Sequence, residues 1–353
     1  MKYKKLGTTD ISVSLICLGT MTWGTQNNQN EAFAQMDFAF DKGVNFFDTA
    51  ELYSVPPNSE SYGKTETMIG NWFKTKKKRE KIILATKIAG PGCSWIRGGK
   101  NSFNEKDIKE AIDGSLKRLQ TDYIDLYQLH WPERSTNYFG KREFDVDKEE
   151  KSWNDFETIL IALKKFIKEG KIRYIGVSNE TPYGLSKFLE ISKNKNLPRV
   201  MTVQNPYNLV NRTYEIGMSE ISIREKCGLI PYYPLATGYL TGKYRNNKKP
   251  KNSRQALFKG WERHGNPIAL KAYEEYFKLA EDHNLSPAKL AHAFVNSRPF
   301  VTSNIIGATT MDQLQENIES VDVTLTDEIL DKINLIHNNN CLLYTSPSPR
   351  DRI

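Results

Sequence analysis

The sequence predicts an α/β protein folded as a (β/α)8 TIM barrel, with an N-terminal β-hairpin and long loops on the C-terminal face. Eight short apolar runs alternate with amphipathic helical stretches along the 353 residues, at intervals of about 30–40 residues. The runs are almost continuously apolar, which is typical of strands buried on both faces. A doubly wound sheet is the alternative, but its Gly-rich phosphate turn (GxGxxG, GxxxxGKS or GxxxxGKT) does not occur in the chain.

The predicted elements follow in order from the N-terminus. A hairpin is predicted over residues 3–13, with its turn at residues 7–10. Eight barrel strands are then predicted at residues 15–18, 44–47, 82–86, 124–129, 172–177, 200–204, 229–233 and 303–306. Asn104 is the expected N-cap of the third helix, with acidic residues in its first turn. In the fourth helix one apolar stripe runs through residues 156–167 and stops at Gly170.

We expect a single domain over residues 1–340. Two long stretches, 131–154 and 235–267, follow predicted strands, so they lie at the C-terminal face, where barrel active sites are built. The helical pattern ends near His337, and residues 341–353 do not continue the rhythm of the barrel. We expect this tail to be non-native and leave it out of the predicted fold.

Composition excludes several classes of protein. Lys plus Arg number 50 and Asp plus Glu 42, a net charge of +8, with 39% hydrophobic residues, unlike a disordered chain. No apolar run is long enough to cross a membrane, and none follows the N-terminal lysines, so neither a membrane span nor a secretory signal is expected. Four cysteines lie scattered without a CxxC pair, which favours a cytoplasmic protein without disulfides or a metal site.

Two basic runs, at residues 74–81 and 243–254, raise the question of nucleic-acid binding. Neither run shows the repeated alternation of aromatic and basic residues that suggests such a surface. The first run is better interpreted as a solvated helix end, and the second as a basic loop on the C-terminal face. We therefore expect no nucleic-acid partner.

Polar residues of distinct chemistry stand at the C-terminal ends of three successive strands. Asp48 and Tyr53 follow the second strand, Lys87 ends the third, and His130 ends the fourth. Each has an ordinary structural explanation alone, such as a turn cap, a rim aromatic, a strand-end charge or a buried histidine. Because neighbouring strand ends meet on one rim of a barrel, we expect the four side chains to converge.

These residues lie within longer ordered motifs. The motifs occupy residues 18–22, 48–53, 55–57, 86–87, 116–130, 171–179, 204–207, 240–243 and 307–314. Together they resemble the aldo-keto reductase superfamily over residues 1–337. The resemblance implies a barrel enzyme that reduces aldehydes or ketones to alcohols with NADPH.

The resemblance implies a catalytic tetrad of Asp48, Tyr53, Lys87 and His130, and the chemistry of these groups agrees. Hydride addition to a carbonyl leaves charge on oxygen, which Tyr53 can protonate as general acid. A free phenol has a pKa near 10, and we expect Lys87 to lower that of Tyr53 by roughly two units, or about 3 kcal/mol. Asp48 can hold Lys87 in place, and His130 can donate a hydrogen bond to the carbonyl oxygen.

The same resemblance implies a set of cofactor-binding residues. Ser178, Asn179 and Gln204 would hold the nicotinamide amide, and Tyr233 would stack on its ring. The segment after Tyr233 would wrap the pyrophosphate, and the N-terminus of the last barrel helix suits a phosphate. The further expected cofactor residues are Gly19, Thr20, Met21, Pro234, Leu235, Ala236, Thr237, Gly238, Leu240, Gly242, Lys243, Arg254, Gly307, Thr309, Gln313 and Asn317.

The physical case for NADPH over NADH is the second basic run, which could neutralise the additional phosphate. Its cations are Lys243, Arg245, Lys248, Lys249, Lys251 and Arg254. The chain departs from many family members at Gln313, where an arginine is expected. Gln313 can hydrogen-bond a phosphate or ribose but adds no charge.

The substrate pocket is expected to be apolar and aromatic. Trp23 and Trp131, together with Phe139 and Tyr207, are expected to line this pocket for a small carbonyl compound.

Two other functions are alternatives to the reductase. One alternative is a cofactor-binding redox-sensing module with little turnover, against which the intact tetrad argues. Another is a lyase or hydrolase without nicotinamide, which gives the expected amide-binding set no purpose. The sequence leaves the physiological substrate, the reaction direction and the oligomeric state open, and is compatible with a monomer.

Overall fold

Eight parallel strands curl into a (β/α)8 barrel in the computed structural model of the chain, as the sequence predicts. The structure describes residues 1–139, 143–146, 152–258 and 264–341. The N-terminal hairpin is formed by β1 (Tyr3–Lys5) and β2 (Ser12–Ser14). The barrel strands are β3 (Ile16–Gly19), β4 (Phe46–Asp48), β5 (Ile83–Ile88), β6 (Ile124–Leu129), β7 (Ile172–Ser178), β8 (Val200–Gln204), β9 (Gly228–Leu229) and β10 (Asn304–Ile306).

The barrel strands pair in chain order, and the last strand returns to the first. β10 pairs with β3, after which β4 to β9 follow one another. Backbone hydrogen bonds close the remaining gap beside β9: Leu229 N–H donates to Phe300 at 2.7 Å, and Thr302 N–H to Leu229 at 2.8 Å. Ile305 N–H continues this seam by donating to the carbonyl of Pro231 at 3.1 Å.

The predicted strand at 229–233 is wrong in its extent. Only Gly228–Leu229 is strand, because Pro231 and Pro234 have no N–H to donate to a ladder. Tyr233 has a positive φ of 59°, which takes it out of the extended region. The other predicted strands agree with the structure to within two residues at each end.

Helices separate the strands and cover the outside of the barrel. Asn104 caps the third helix as predicted, accepting from Asp107 N–H at 2.9 Å, and the predicted stripe of the fourth helix faces the core. The helices are α1 (Gln29–Asp41), α2 (Lys64–Lys76), α3 (Glu105–Leu119), α4 (Phe156–Lys168), α5 (Pro182–Lys195), α6 (Met218–Arg224), α7 (Arg254–Leu257), α8 (Pro267–Asp282), α9 (Pro287–Ser297), α10 (Met311–Glu319) and α11 (Asp327–Cys341).

The last helix extends beyond its predicted end. α11 continues past His337 to Cys341, and Asn340 is buried there, with its Nδ2 donating to Ile336 O at 2.9 Å. The helix end near His337 is therefore wrong, and Cys341, assigned to the tail, belongs to α11. The rest of the predicted tail lies outside the described residues.

The hairpin closes the bottom of the barrel, opposite the C-terminal strand ends. Leu6, Ile11 and Val13 form one buried cluster with barrel-interior residues such as Phe46 and Leu126. Burying these apolar side chains seals the barrel at that end, so the open mouth is the C-terminal face.

The first basic run contributes ion pairs on the outer surface of the barrel. Lys76 pairs with Asp37 at 2.8 Å, and Arg79 pairs with the buried Asp125 at 2.9 Å. The three described cysteines, Cys17, Cys93 and Cys227, are buried free thiols. None of the described helices is long and apolar enough to span a membrane.

Candidate active site

Asp48 and Lys87 form a buried ion pair inside the C-terminal mouth of the barrel. Asp48 ends β4 and Lys87 lies near the end of the neighbouring β5. Lys87 Nζ donates to Asp48 Oδ2 at 2.7 Å and to the carbonyl oxygen of Thr49 at 2.7 Å. The Lys87 side chain is fully buried and that of Asp48 is 3% exposed, so each charge depends on the other for compensation.

Two glutamines from later strands complete the hydrogen bonding of Asp48. Gln128 Nε2 donates to Asp48 Oδ1 at 3.1 Å, and Gln204 Nε2 donates to the same oxygen at 2.8 Å. Gln128 is absent from the predicted site. Its signal in the sequence is a polar residue within an apolar strand, two positions before His130 and therefore on the same side.

Tyr53 lies half-buried beside this ion pair, on the loop after β4. Lys87 Nζ is 4.9 Å from the centroid of the Tyr53 ring. The same ring meets the His130 imidazole edge-on, with centroids 5.7 Å apart. The structure therefore brings the four predicted side chains together at one mouth.

The pKa of the Tyr53 phenol is raised well above its ordinary value. Burial disfavours the phenolate most, and the negative charge of Asp48 raises the pKa further, while Arg254 lowers it. The expected lowering of this pKa is wrong, because burial and the charge of Asp48 outweigh the ammonium of Lys87, which is itself paired with Asp48 at 2.7 Å. Tyr53 consequently retains its proton at neutral pH.

The imidazole of His130 is neutral. Burial is the larger cause and the nearby Lys87 charge the smaller one, and together they lower the pKa of His130 well below its usual value. A neutral imidazole carries one N–H and one acceptor nitrogen. Its Nδ1 is buried and has no hydrogen-bond partner among the described residues. His130 can therefore act as an uncharged hydrogen-bond donor beside Tyr53.

The three residues expected to hold an amide group lie together at the ends of β7 and β8. Ser178 Oγ donates to the backbone oxygen of Gln204 at 2.8 Å. Asn179 Nδ2 donates to the carbonyl of His130 at 2.9 Å, and its Oδ1 accepts from the Tyr232 hydroxyl at 2.6 Å. These contacts fix polar side chains of both donor and acceptor character next to the tetrad. Tyr232 is a member of this group that sequence reasoning missed.

The segment after β9 has an unusual backbone. Tyr233, Ala236 and Thr237 have positive φ angles of 59°, 47° and 57°, which non-glycine residues rarely adopt and which cluster at functional sites. Gly238 follows with a φ of 98°, and a Cβ there would lie 2.7 Å from Lys243 Cε. This turn, which continues as a 3-10 helix over Ala236–Thr241, includes the predicted Pro234, Leu235, Leu240 and Gly242.

Only part of the second basic run faces the mouth. Burial lowers the pKa of Lys243 most, and the charge of Arg254 lowers it further. Arg254 also opposes part of the rise in the pKa of Tyr53. Arg245 instead turns to α8, where it pairs with Glu274 at 2.7 Å and Glu281 at 2.9 Å. Lys248, Lys249 and Lys251 are exposed. Of the predicted phosphate-binding cations, Lys243 and Arg254 lie near one another, and Arg254 also lies near Tyr53.

The predicted residues at the ends of β3 and β10 flank the other side of the mouth. Gly19 is paired with Asp48 in the register of the sheet, the Thr20 hydroxyl donates to the backbone oxygen of Asp48 at 2.8 Å, and Met21 O accepts from Val55 N–H at 2.9 Å.

The turn after β10 leads into α10. Gln313 Oε1 accepts from Thr309 N–H at 3.0 Å, and the buried Asn317 donates to Gly307 O at 3.2 Å. In this structure Gln313 therefore fixes the turn that precedes its own helix.

Aromatic residues wall the mouth on one side. Trp131 packs 5.0 Å from the His130 ring, between centroids, and 5.6 Å from Phe139, which is 48% exposed. Trp131 lies close against Gly90, where a Cβ would come within 2.4 Å of its Nε1. The structure does not bring Trp23 and Tyr207 to this wall, since both are fully buried in the core.

Glu51 is a buried charge beside the site that sequence reasoning missed. Arg97 binds it with two hydrogen bonds, from Nη1 at 2.9 Å and from Nη2 at 2.7 Å. Ala89 N–H and the Tyr62 hydroxyl also donate to its carboxylate, at 2.7 and 2.8 Å. Glu51 thereby ties the loop after β4 to the end of β5, so it supports the positions of Tyr53 and Lys87.

Comparison with known proteins agrees with this geometry. The sequence pattern of the Aldo/keto reductase family matches residues 15–338. The chain is 44% identical to the Protein tas of Escherichia coli (strain K12) over 357 residues, covering 99% of this chain and 100% of the relative. It is 34% identical to the uncharacterized oxidoreductase YrpG of Bacillus subtilis (strain 168), covering 95% of each. It is also 31% identical to a probable voltage-gated potassium channel subunit beta of Oryza sativa subsp. japonica, covering 95% of this chain and 96% of the relative.

Proposed function

The chain belongs to the aldo/keto reductase family, and from this premise we propose that it reduces aldehydes or ketones to alcohols with NADPH. Membership implies an oxidoreductase that acts on small carbonyl compounds. One observation supports this reaction above all. The neutral phenol of Tyr53 and the neutral imidazole of His130 converge with a buried Lys–Asp pair at one mouth of the barrel. A carbonyl oxygen placed there lies close to proton donors. The carboxylate beside it, Asp48, is already paired with Lys87.

In this proposal Tyr53 is the general acid. Its raised pKa keeps the proton on the phenol until negative charge develops on the substrate oxygen. Transfer is then favourable, because an alkoxide is far more basic than a phenolate. His130 donates a hydrogen bond to the same oxygen, and Lys87, held by Asp48, stabilises charge as Tyr53 loses its proton.

The residues around the tetrad fit a nicotinamide dinucleotide. When bound, NADPH supplies the hydride, which no side chain can provide. The polar groups of Ser178, Asn179 and Gln204 match a carboxamide, which needs both donors and acceptors.

The backbone turn at Gly238 suits close approach of a pyrophosphate. The like-charged neighbours Lys243 and Arg254 repel one another, and an anion between them would relieve that repulsion. We propose that this anion is the additional phosphate of NADPH, which NADH lacks. We also propose a cytoplasmic location, with which the free thiols agree.

A second candidate is a redox-sensing module that binds NADPH with little turnover. The likeness to a probable voltage-gated potassium channel subunit beta favours it. This module would keep the cofactor site and act through a protein partner. It differs from the reductase in one measurable respect, because bound NADPH would not be consumed in the presence of carbonyl compounds.

The test is NADPH oxidation by the purified protein against a panel of aldehydes and ketones. We expect turnover in the wild type that falls by at least about 100-fold in Tyr53→Phe, since a general acid contributes roughly that much or more. NADPH affinity should be unchanged in this variant. Tyr62→Phe, which removes a neighbouring phenol oxygen bound to Glu51, is the matched control and should retain turnover. Equal activity in wild type and Tyr53→Phe would overturn the assignment of Tyr53.

A further inference from the structure

A fully buried histidine on α9 has no role in the proposed chemistry. His292 is 0% exposed and lies on a helix whose other buried residues are mostly apolar. Both of its ring nitrogens make contacts: Nδ1 lies 3.1 Å from Asn304 Nδ2, and Nε2 lies 3.1 Å from Asn317 Oδ1. A buried polar atom without a hydrogen-bond partner costs folding free energy. Because both ring nitrogens of His292 have partners, its surroundings accommodate the imidazole specifically.

The backbone at one end of this chain of contacts determines which group donates and which accepts in each hydrogen bond. The carbonyl of Gly307 can only accept, so Asn317 must present its Nδ2 there, at 3.2 Å. Asn317 therefore presents Oδ1 to His292, whose Nε2 must carry the proton. Nδ1 is then the acceptor, which requires Asn304 to present its Nδ2. The tautomer of His292 and the orientation of two amides are fixed together.

The chain of contacts ends on the turn that joins β10 to α10. Asn317 holds Gly307 O, and Asn27 Nδ2 donates to Thr309 O at 3.0 Å in the same turn. Gly307 itself is exposed, and a Cβ there would meet no atom within 4 Å. The turn is therefore exposed to solvent at the C-terminal edge of the strands. Its carbonyl oxygens are held by Asn317 and Asn27.

We propose that His292 is a positioning residue for the cofactor, acting through Asn317 on the Gly307–Thr310 turn. In the proposed function, and as the resemblance in sequence implies, this turn and the start of α10 would receive the adenosine end of NADPH, so this inference rests on the proposed function. His292 does not touch the cofactor. Its Nε2–H holds Asn317 in the one orientation that supports the turn.

A merely structural role predicts a different result from a positioning role. A structural histidine would alter the unfolding midpoint alone when it is replaced. A positioning histidine alters affinity for the adenosine half of the cofactor and leaves turnover at saturating NADPH unchanged. The separation of affinity from turnover is the readout.

The experiment compares two polar variants of similar character. In His292→Gln the amide Nε2 reaches Asn317 and can replace the ring N–H, whereas in His292→Asn the shorter side chain reaches only toward Asn304. NADPH and adenosine 2′,5′-bisphosphate are titrated by quenching of tryptophan fluorescence. We expect His292→Asn to weaken both by about ten-fold, the effect of losing one buried hydrogen bond, and His292→Gln to stay within about two-fold of wild type.

Asn296→Ala is the control within the same polar cluster, because the side-chain hydrogen bonds of Asn296 are with Asn304 and Ser320 and not with Asn317. Its cofactor affinity should stay near that of wild type. Equal affinity in His292→Asn and wild type would overturn the positioning role while leaving the reductase proposal intact. Failure of wild type itself to bind NADPH would overturn both.

Discussion

Asp48 is the residue on which the electrostatics of the site depend. Its two carboxylate oxygens accept from Lys87, Gln128 and Gln204 at 2.7 to 3.1 Å. These donors come from three different strands, so one carboxylate joins β4 to β5, β6 and β8. Removing its charge leaves a buried ammonium without compensation.

Asp48→Asn should therefore destabilise the fold strongly. We expect the free energy of unfolding to fall by about 3–5 kcal/mol, the usual result of breaking a buried ion pair from one side. Urea denaturation measures it. Asp113→Asn is the control, since Asp113 pairs with Lys109 and Lys171 at the surface with its side chain 38% exposed, and should cost at most about 1 kcal/mol. A cost for Asp48→Asn as small as that of the control would contradict the role given to this carboxylate.

Tyr53 shows where reasoning from residue types falls short. The sequence places a lysine near a phenol, and a lysine alone lowers a phenol's pKa. It does not reveal that Asp48 lies 2.7 Å from that lysine or that the phenol is desolvated. Burial and the carboxylate together raise the pKa of Tyr53, so the group is a proton donor rather than a partly ionised phenol.

At the scale of elements, local chemistry decides where prediction succeeds. The caps and stripes of α3 and α4 are local, so Asn104 and Gly170 define them in the sequence. β9 is not local. Its pairing depends on β8 and on the segment before β10, and Pro231 and Pro234, which follow it, limit the ladder to Gly228–Leu229.

Contacts between elements were equally beyond the sequence. Nothing in the sequence indicates that Arg245 pairs with α8 while Arg254 of the same basic run faces Tyr53. The same holds for Trp23, which is a core residue with its Nε1 donating to Gln35 at 2.9 Å. Long-range packing selects among side chains that look alike in a sequence.

The helix α9 should make the fold sensitive to acid. Burial lowers the pKa of His292 from 6.5 to about 4, so the unfolded chain binds more protons than the folded chain between these values. Stability from this group is complete above pH 6.5, is lost as the pH falls toward 4 and changes no further below that. The full loss is about 3 kcal/mol.

The measurement is urea denaturation at neutral pH and near the lower pKa. Over this pH interval the free energy of unfolding should fall by about 3 kcal/mol less in His292→Leu than in wild type. The variant His283→Gln, at the end of α8, should follow wild type. Identical pH dependence in wild type and His292→Leu would show that the buried imidazole does not titrate as described.

At the scale of the whole molecule, the barrel itself was predictable. Its strands are buried on both faces and read as continuous apolar runs, and their order in the sheet follows chain order. Because strand ends in such a barrel must meet at one rim, the sequence predicted that these four side chains converge, and the structure brings them together. The buried partners Gln128, Glu51 and Arg97 were missed, because their roles arise from contacts across the barrel.

Cofactor preference is a property of the whole fold that thermal unfolding can measure. A ligand at 100 times its Kd stabilises the folded state by about 2.7 kcal/mol. We expect NADPH to raise the Tm more than NADH does at equal concentration, because in the proposed function Lys243 and Arg254 would bind the additional phosphate. Arg254→Gln should narrow that difference, whereas Arg245→Gln should keep it, since Arg245 is paired with Glu274 and Glu281. Equal shifts with both nucleotides in wild type would contradict the preference.

The central claim is that this mouth transfers hydride to a carbonyl, with Tyr53 providing the proton. The most direct measurement is a single turnover with NADPH deuterated at the transferred position of C4, followed by mass spectrometry of the alcohol, in wild type and Tyr53→Phe. We expect deuterium on the carbinol carbon, one per NADPH consumed, and a rate at least about 100-fold lower in the variant. NADPH that binds tightly but keeps its deuterium with every carbonyl offered would contradict the claim and favour the redox-sensing module.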